Sequence, residues 1–127
     1  MYTLTKEFRF EASHQLMHHD GKCARLHGHS WVGRVILTFG DHLASTGPKK
    51  NMAMDYADIK AELAPLVAQS LDHYHLNDTL ANDSPTSEFV AKWVYDRLAP
   101  KLRPYLLAVE IDETCTSSCR YEPRQHT

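Results

Sequence analysis

A cysteine and two histidines stand close together in the segment Cys23 to His29, which reads CARLHGH. In an extended chain alternate side chains point to the same face, so His27 and His29 would present their imidazoles side by side. Imidazole nitrogen is a common zinc ligand, and a catalytic zinc takes three protein ligands and keeps one position open. His14 follows an alternating apolar run and is the best candidate for the third ligand. We therefore predict a zinc site made of these three histidines.

Two other interpretations of this segment remain open. The chain has nine histidines, so a His-x-His pair can arise without any metal-binding role. Cys23 can also be a fourth ligand, which would close the site and make it structural. His18 and His19, in the polar loop before Cys23, are expected to be solvated residues, although they could help to receive an anionic substrate.

Composition limits the kind of protein and its partners. The chain has 127 residues, 43% of them apolar, and this predicts a single domain over residues 1–127 with its own core. The formal net charge is −2 and no block of basic residues is present, which argues against nucleic acid or an anionic membrane as partner. No apolar run approaches the roughly 18 residues of a membrane span, and three cysteines cannot all pair within one chain. We expect a cytoplasmic protein in a reducing compartment.

Apolar periodicity predicts the order strand, strand, helix, helix, strand, strand. Strands grouped at both ends with helices between them are typical of an α+β domain whose antiparallel sheet is covered on one face. Pro65 is expected to kink the first helix or to end its regular part. The predicted strands are Tyr2 to Phe10, Ser30 to Phe39, Tyr105 to Glu113 and Cys119 to Glu122, and the predicted helices begin near Asp55 and near Ser84.

Five spaced motifs resemble the 6-pyruvoyl-tetrahydropterin synthase family. The spacing between the cysteine and His-Gly-His, together with Ser30 and the ending Glu113 to Thr116, is most similar to the bacterial 6-carboxy-5,6,7,8-tetrahydropterin synthase branch of that family. Pro48 to Asn51 is an insertion relative to the usual pattern. The motifs are Phe10-x-Ala12-x-His14, Cys23-x-x-x-His27-Gly28-His29, Leu71-Asp72-His73-x-x-Leu76-Asn77, Pro85-Thr86-Ser87-Glu88, and Glu113-Thr114 followed by Tyr121.

The resemblance implies a tunnelling fold, in which two helices cover a four-stranded antiparallel sheet. Three chains close a barrel, two such trimers stack into a hexamer, and the active sites lie between subunits. It also implies a zinc-dependent lyase of queuosine biosynthesis that converts 7,8-dihydroneopterin triphosphate to 6-carboxy-5,6,7,8-tetrahydropterin, acetaldehyde and triphosphate. The alternatives are a pyruvoyl-forming synthase, which leaves the carbon–carbon bond intact, and a non-enzymatic structural zinc module.

The resemblance also implies which residues move protons. Cys23 is expected to be the base, because a nearby metal ion or imidazolium favours the thiolate. His73 is the expected second proton carrier, with Asp72 fixing its charge state. Adjacent residues of a regular helix do not face each other, so this pair requires a turn. His75 is the competing candidate and is expected to face solvent.

Substrate binding is assigned to Glu113 and Thr114 by the same resemblance. A carboxylate presents two acceptors side by side and can bind the amino and N–H groups of a pterin ring. Without the resemblance, Glu113 would be read as an ordinary charge at a strand end. A triphosphate group needs cations, for which Lys22, Arg25 and Lys49 are candidates.

Overall fold

A long antiparallel strand pair carries the predicted histidines. The computed structural model describes residues 1–124, in which strand β1 runs Tyr2–His14 and strand β2 runs His27–Phe39. His14 lies directly opposite His27, and Phe10 lies opposite Trp31. Both strands extend beyond the predicted apolar runs, because backbone pairing continues through the polar residues at this end of the sheet. Strand alternation then places all three histidines on the face that carries Phe10 and Trp31.

Three further strands complete the sheet: β3 (Tyr74–His75), β4 (Leu106–Thr114) and β5 (Ser117–Tyr121). The strand order is β3-β1-β2-β4-β5, and the predicted four-stranded antiparallel sheet is confirmed in β1, β2, β4 and β5. The short β3 was not predicted. It pairs parallel to the end of β1, with Ala12 opposite Tyr74.

Capping residues fix the starts of the two long helices. The Asp55 side chain accepts a hydrogen bond from the backbone N–H of Ala57, and Thr86 Oγ1 accepts one from Phe89. The regular part of α1 ends one residue after Pro65 and continues as a π-helical turn over Val67–Leu71, as the proline predicted. The helices are α1 (Tyr56–Leu66), α2 (Leu76–Thr79) and α3 (Ser87–Leu102), and a 3₁₀ turn spans Lys22–Ala24. None of the helices within residues 1–124 combines the length and apolar character needed to cross a membrane.

An aromatic column connects the core to the histidines. The rings of Phe8 and Phe10 stack at 6.0 Å between centroids, and those of Phe10 and Trp31 at 5.7 Å. Gly33 is required beside this column, because a Cβ there would lie 2.1 Å from Phe8 Cζ. The column ends at His14, whose ring lies 5.0 Å from the Trp31 ring. The apolar face of the sheet therefore provides a rigid wall for the imidazoles.

Candidate metal centre and substrate cavity

Four side chains from three strands converge at one end of the sheet. Each offers a nitrogen or oxygen atom, and these atoms all lie within 4.8 Å of one another. The structure thus brings together the three predicted ligands and adds a carboxylate. The cluster consists of His14, His27, His29 and Glu113.

Backbone carbonyls set the tautomers of two of these rings. His14 Nδ1 lies 2.8 Å from the carbonyl oxygen of Pro85, and His27 Nδ1 lies 2.7 Å from that of Arg25. A carbonyl oxygen can only accept, so each Nδ1 carries a hydrogen and donates it. In the neutral ring Nε2 then keeps its lone pair. This arrangement is typical of metal-binding histidines, whose second ring nitrogen donates to a carbonyl or carboxylate.

Within residues 1–124, two imidazole nitrogens are buried without a hydrogen-bond partner. They are the Nε2 atoms of His14 and His29. Burial is the main cause that lowers the pKa of both rings below the ordinary value, and the neighbouring His27 lowers them further. Both are therefore held in the neutral form that metals bind. A buried nitrogen left unpaired costs about 1–3 kcal/mol, a cost that a bound cation removes.

Glu113 is part of this cluster, which its assignment to substrate binding did not anticipate. Glu113 Oε1 lies 3.1 Å from His14 Nε2 and 3.3 Å from His29 Nε2, and neither contact is a hydrogen bond. In the ladder Asp112 pairs with Val32, so the next residue turns toward the core face. The sequence did contain a signal for this position. Val109, Ile111 and Glu113 are alternate residues of β4, so Glu113 is expected on the same face as the two buried residues.

These donors fit a divalent metal ion. Three imidazoles and a nearby carboxylate are nitrogen and oxygen ligands of the type zinc accepts. The rings of His14 and His27 are oriented by backbone carbonyls, and the candidate ligand atoms of the cluster lie within 4.8 Å of one another. Cys23 is not a member of the cluster. This geometry disfavours a closed site made of one cysteine and three histidines.

Cys23 lies instead on the wall of an adjoining cavity of about 440 Å³. The same cavity is lined by His27, His29, Glu113 and Thr114. The Cys23 side chain is half-buried and its sulfur is a free thiol. The cavity thus places a thiol, two candidate metal ligands and both predicted substrate-binding residues around one volume.

The predicted pair of Asp72 and His73 forms at a turn. His73 Nδ1 lies 2.9 Å from Asp72 Oδ2, and His73 has a left-handed φ of 64°. That conformation follows the end of the π-helical turn and lets adjacent side chains meet. The backbone N–H of Glu11 and then the His73 ring lower the pKa of Asp72. Asp72 is therefore ionised at neutral pH and can hold a protonated His73.

His75 does not simply face solvent, so the expectation for this residue is wrong. Its Nδ1 lies 2.9 Å from Ser13 Oγ, and the side chain is half-buried. The cause is strand β3, which places His75 opposite Ser13 in a parallel pair. Sequence periodicity cannot detect a strand of two residues.

The proposed proton carriers lie in different cavities within one chain. His73 and His75 line a second cavity of about 450 Å³, whose wall includes His29. Cys23 lines the first cavity, and His29 is common to both. Within one chain, His29 is therefore the residue that connects the cavity of Cys23 with the cavity of His73.

Comparison with known proteins identifies the family of this chain. The family model described as 6-pyruvoyl tetrahydropterin synthase matches residues 3–124. A Synechocystis protein named 6-carboxy-5,6,7,8-tetrahydropterin synthase is 53% identical over 121 residues, covering 95% of this chain and 93% of that protein. A Bacillus subtilis protein of the same name is 31% identical, covering 98% of this chain and 87% of that one.

A solved structure of a family member has a similar fold. The 6-pyruvoyl tetrahydropterin synthase of Caenorhabditis elegans superposes with a TM-score of 0.80 at 27% identity. The match covers 97% of this chain and 96% of that chain. The chain therefore belongs to the 6-pyruvoyl tetrahydropterin synthase family.

Proposed function

We propose that this chain is a zinc-dependent 6-carboxy-5,6,7,8-tetrahydropterin synthase acting on 7,8-dihydroneopterin triphosphate. The observation that carries the proposal is the three-histidine cluster, with its buried unpaired Nε2 atoms, beside the cavity that contains Cys23. The named relatives support the choice of substrate and product. His14, His27 and His29 are the proposed zinc ligands.

The overall conversion is balanced without an external oxidant. One substrate molecule and one water give 6-carboxy-5,6,7,8-tetrahydropterin, acetaldehyde and triphosphate. The side chain loses a carbon–oxygen bond to triphosphate and one carbon–carbon bond. Its carbon attached to the ring is oxidised to the carboxylate while the dihydropterin ring is reduced. The enzyme must therefore mainly move protons and stabilise negative charge on oxygen.

Chain residues supply the proton transfers. Bound zinc would act as a Lewis acid toward the side-chain hydroxyls of the substrate. Cys23 would accept a proton from a side-chain carbon, since a cation beside a thiol favours the thiolate. His73 would be the second proton carrier, held by the ionised Asp72 at 2.9 Å. Glu113 and Thr114, which line the same cavity, would hold the pterin ring.

We expect Glu113→Gln to weaken substrate binding and leave zinc content unchanged. Glutamine keeps the shape but replaces one acceptor oxygen with a donor, so a pterin N–H group would face another donor. Such a mismatch costs about 1–3 kcal/mol, or about tenfold or more in affinity. Calorimetric binding and metal analysis measure the two effects.

Glu62→Gln, on helix α1, is the matched control and should change neither binding nor zinc content. Because Glu113 Oε1 lies near two ring nitrogens, loss of zinc from Glu113→Gln would instead make this residue a metal ligand. Unaltered substrate affinity would remove the assignment to the pterin.

We further propose that active sites form between copies of the chain in a trimer or hexamer. Strand β3 pairs only with Ala12 and Ser13, so β1 from Tyr2 to Phe10 has no partner strand on that side within residues 1–124. Strand β5 is the other edge of the sheet. Open strand edges favour pairing with another chain. Such pairing could bring His73 of one copy to Cys23 of another.

Sedimentation of the purified protein should accordingly give the mass of three or six chains. At concentrations where the assembly dissociates, turnover per chain should fall because each monomer would carry only half-sites. A monomer with full activity would reject sites formed between subunits.

Mass analysis of the pterin product tests the proposed function directly. The zinc-loaded protein is incubated with 7,8-dihydroneopterin triphosphate, and the expected product is 6-carboxy-5,6,7,8-tetrahydropterin. A pterin that retains its three-carbon side chain would assign the chain to the pyruvoyl-forming activity. Unchanged substrate would reject both activities.

A further inference from the structure

Two cations lie on the wall of the cavity that also contains Cys23. They are Lys22 and Arg25, and both side chains are exposed to solvent. Neither has a carboxylate partner among the residues that the structure describes, whereas Arg34 is bound by Glu110 and Asp112. The same cavity also contains the carboxylate of Glu113, but two cations without carboxylate partners leave positive charge on their part of the wall, and such charge attracts anionic ligands. This part of the cavity is therefore suited to an anion.

A hydrogen-bonded turn fixes the backbone that carries both cations relative to the candidate metal centre. The backbone N–H of Arg25 donates to the Lys22 carbonyl at 3.0 Å, which closes the 3₁₀ turn and brings the two residues together. The Arg25 carbonyl in turn accepts from His27 Nδ1 at 2.7 Å. The backbone that carries the cations is thus bonded directly to a proposed zinc ligand.

The end of strand β1 anchors the same turn. The N–H of Leu16 donates to the Cys23 carbonyl at 2.8 Å, and Gln15 Nε2 donates to the Ala24 carbonyl at 2.8 Å. These bonds hold the turn against the segment that follows His14. A fixed backbone beneath the two cations favours anion binding, because less conformational freedom is lost when the ligand binds.

We propose that Lys22 and Arg25 bind the triphosphate group of the substrate. This inference rests on the proposed function, and it assigns the triphosphate end of the substrate to these two side chains. Glu113, two of the histidines and both cations line the same cavity, so groups suited to the pterin ring, the hydroxyls and the triphosphate surround one volume. Arginine binds phosphate oxygens in a bidentate manner, and lysine adds a point charge.

The structure argues against Lys49, the third cation considered for this role. Its Nζ pairs with Asp55 at the start of helix α1. Asp55 lines a different cavity, formed with Tyr2, Met52 and Tyr56. Lys49 is therefore paired with a carboxylate and does not line the cavity that contains Cys23.

Binding of inorganic triphosphate to the purified protein tests this assignment without turnover. The double variant Lys22→Gln/Arg25→Gln should raise the calorimetric Kd for inorganic triphosphate by at least about tenfold. With the full substrate, KM should rise by a similar factor, while zinc content and melting temperature should stay unchanged. Lys22→Arg/Arg25→Lys retains both charges and should recover most of the binding.

Lys50→Gln/Lys101→Gln removes the same charge from two other exposed positions and is the matched control. An equal loss of binding in this control would mean that the loss reflects net charge alone, and it would overturn the assignment. Absence of triphosphate binding by the unaltered protein would overturn it as well. If the protein binds triphosphate through Lys22 and Arg25 but forms no 6-carboxy product, the anion site stands and the proposed reaction fails. If Lys22→Gln/Arg25→Gln forms the 6-carboxy product with an unchanged KM, the anion site is rejected and the proposed reaction stands.

Discussion

Cys23→Ala should lower turnover by about 10²–10⁴-fold, the usual effect of losing a positioned general base. The reason is that Cys23 lines the cavity but does not belong to the cluster of four side chains that could bind a metal ion. Alanine would remove the proton acceptor and leave the imidazoles in place. Zinc content, melting temperature and substrate affinity should therefore stay close to those of the unaltered protein.

Cys115→Ala is the matched control, because this exposed thiol lies in the turn between β4 and β5. It should keep full activity. Joint loss of zinc and of thermal stability in Cys23→Ala would contradict the catalytic role. That result would mean that the thiol is a ligand of a structural site, where metal binding contributes to folding free energy.

His27→Ala should give the opposite pattern, with loss of zinc and of turnover together. This ring supplies one of three imidazoles, and its Nδ1 is fixed by the Arg25 carbonyl. Without it the remaining two imidazoles would bind zinc much more weakly. Lewis-acid stabilisation contributes several kcal/mol to such reactions, so activity should fall by at least about a thousandfold.

Elemental analysis of the purified proteins checks this expectation. About one zinc per chain is expected in the unaltered protein, and much less in His27→Ala. His42→Ala, at an exposed histidine outside the cluster, is the control and should retain its zinc. Full zinc retention by His27→Ala would remove His27 from the ligand set.

Strand periodicity explains why much of the cluster could be predicted. His27 and His29 occupy alternate positions of β2, and His14 ends the neighbouring strand in register with His27. These relations depend on short spacing and on one antiparallel pair. Alternation within a strand predicts the first relation, and the second follows once the two neighbouring strands pair as a hairpin.

Other features depend on contacts between distant parts of the chain. Glu113 approaches the histidines because β4 pairs with β2, with Asp112 opposite Val32. Ser13 meets His75 only through the two-residue strand β3. A short strand leaves no periodic pattern, and the packing of a charged strand end depends on its partner. Local sequence therefore did not predict these two contacts.

The ratio of acetaldehyde to triphosphate released in one reaction tests the proposed activity most directly. Cleavage of the carbon–carbon bond produces acetaldehyde only in the carboxy-forming reaction, whereas both candidate reactions release triphosphate. The zinc-loaded protein with 7,8-dihydroneopterin triphosphate is expected to release the two products in equal amounts. Release of triphosphate without acetaldehyde would contradict the assignment.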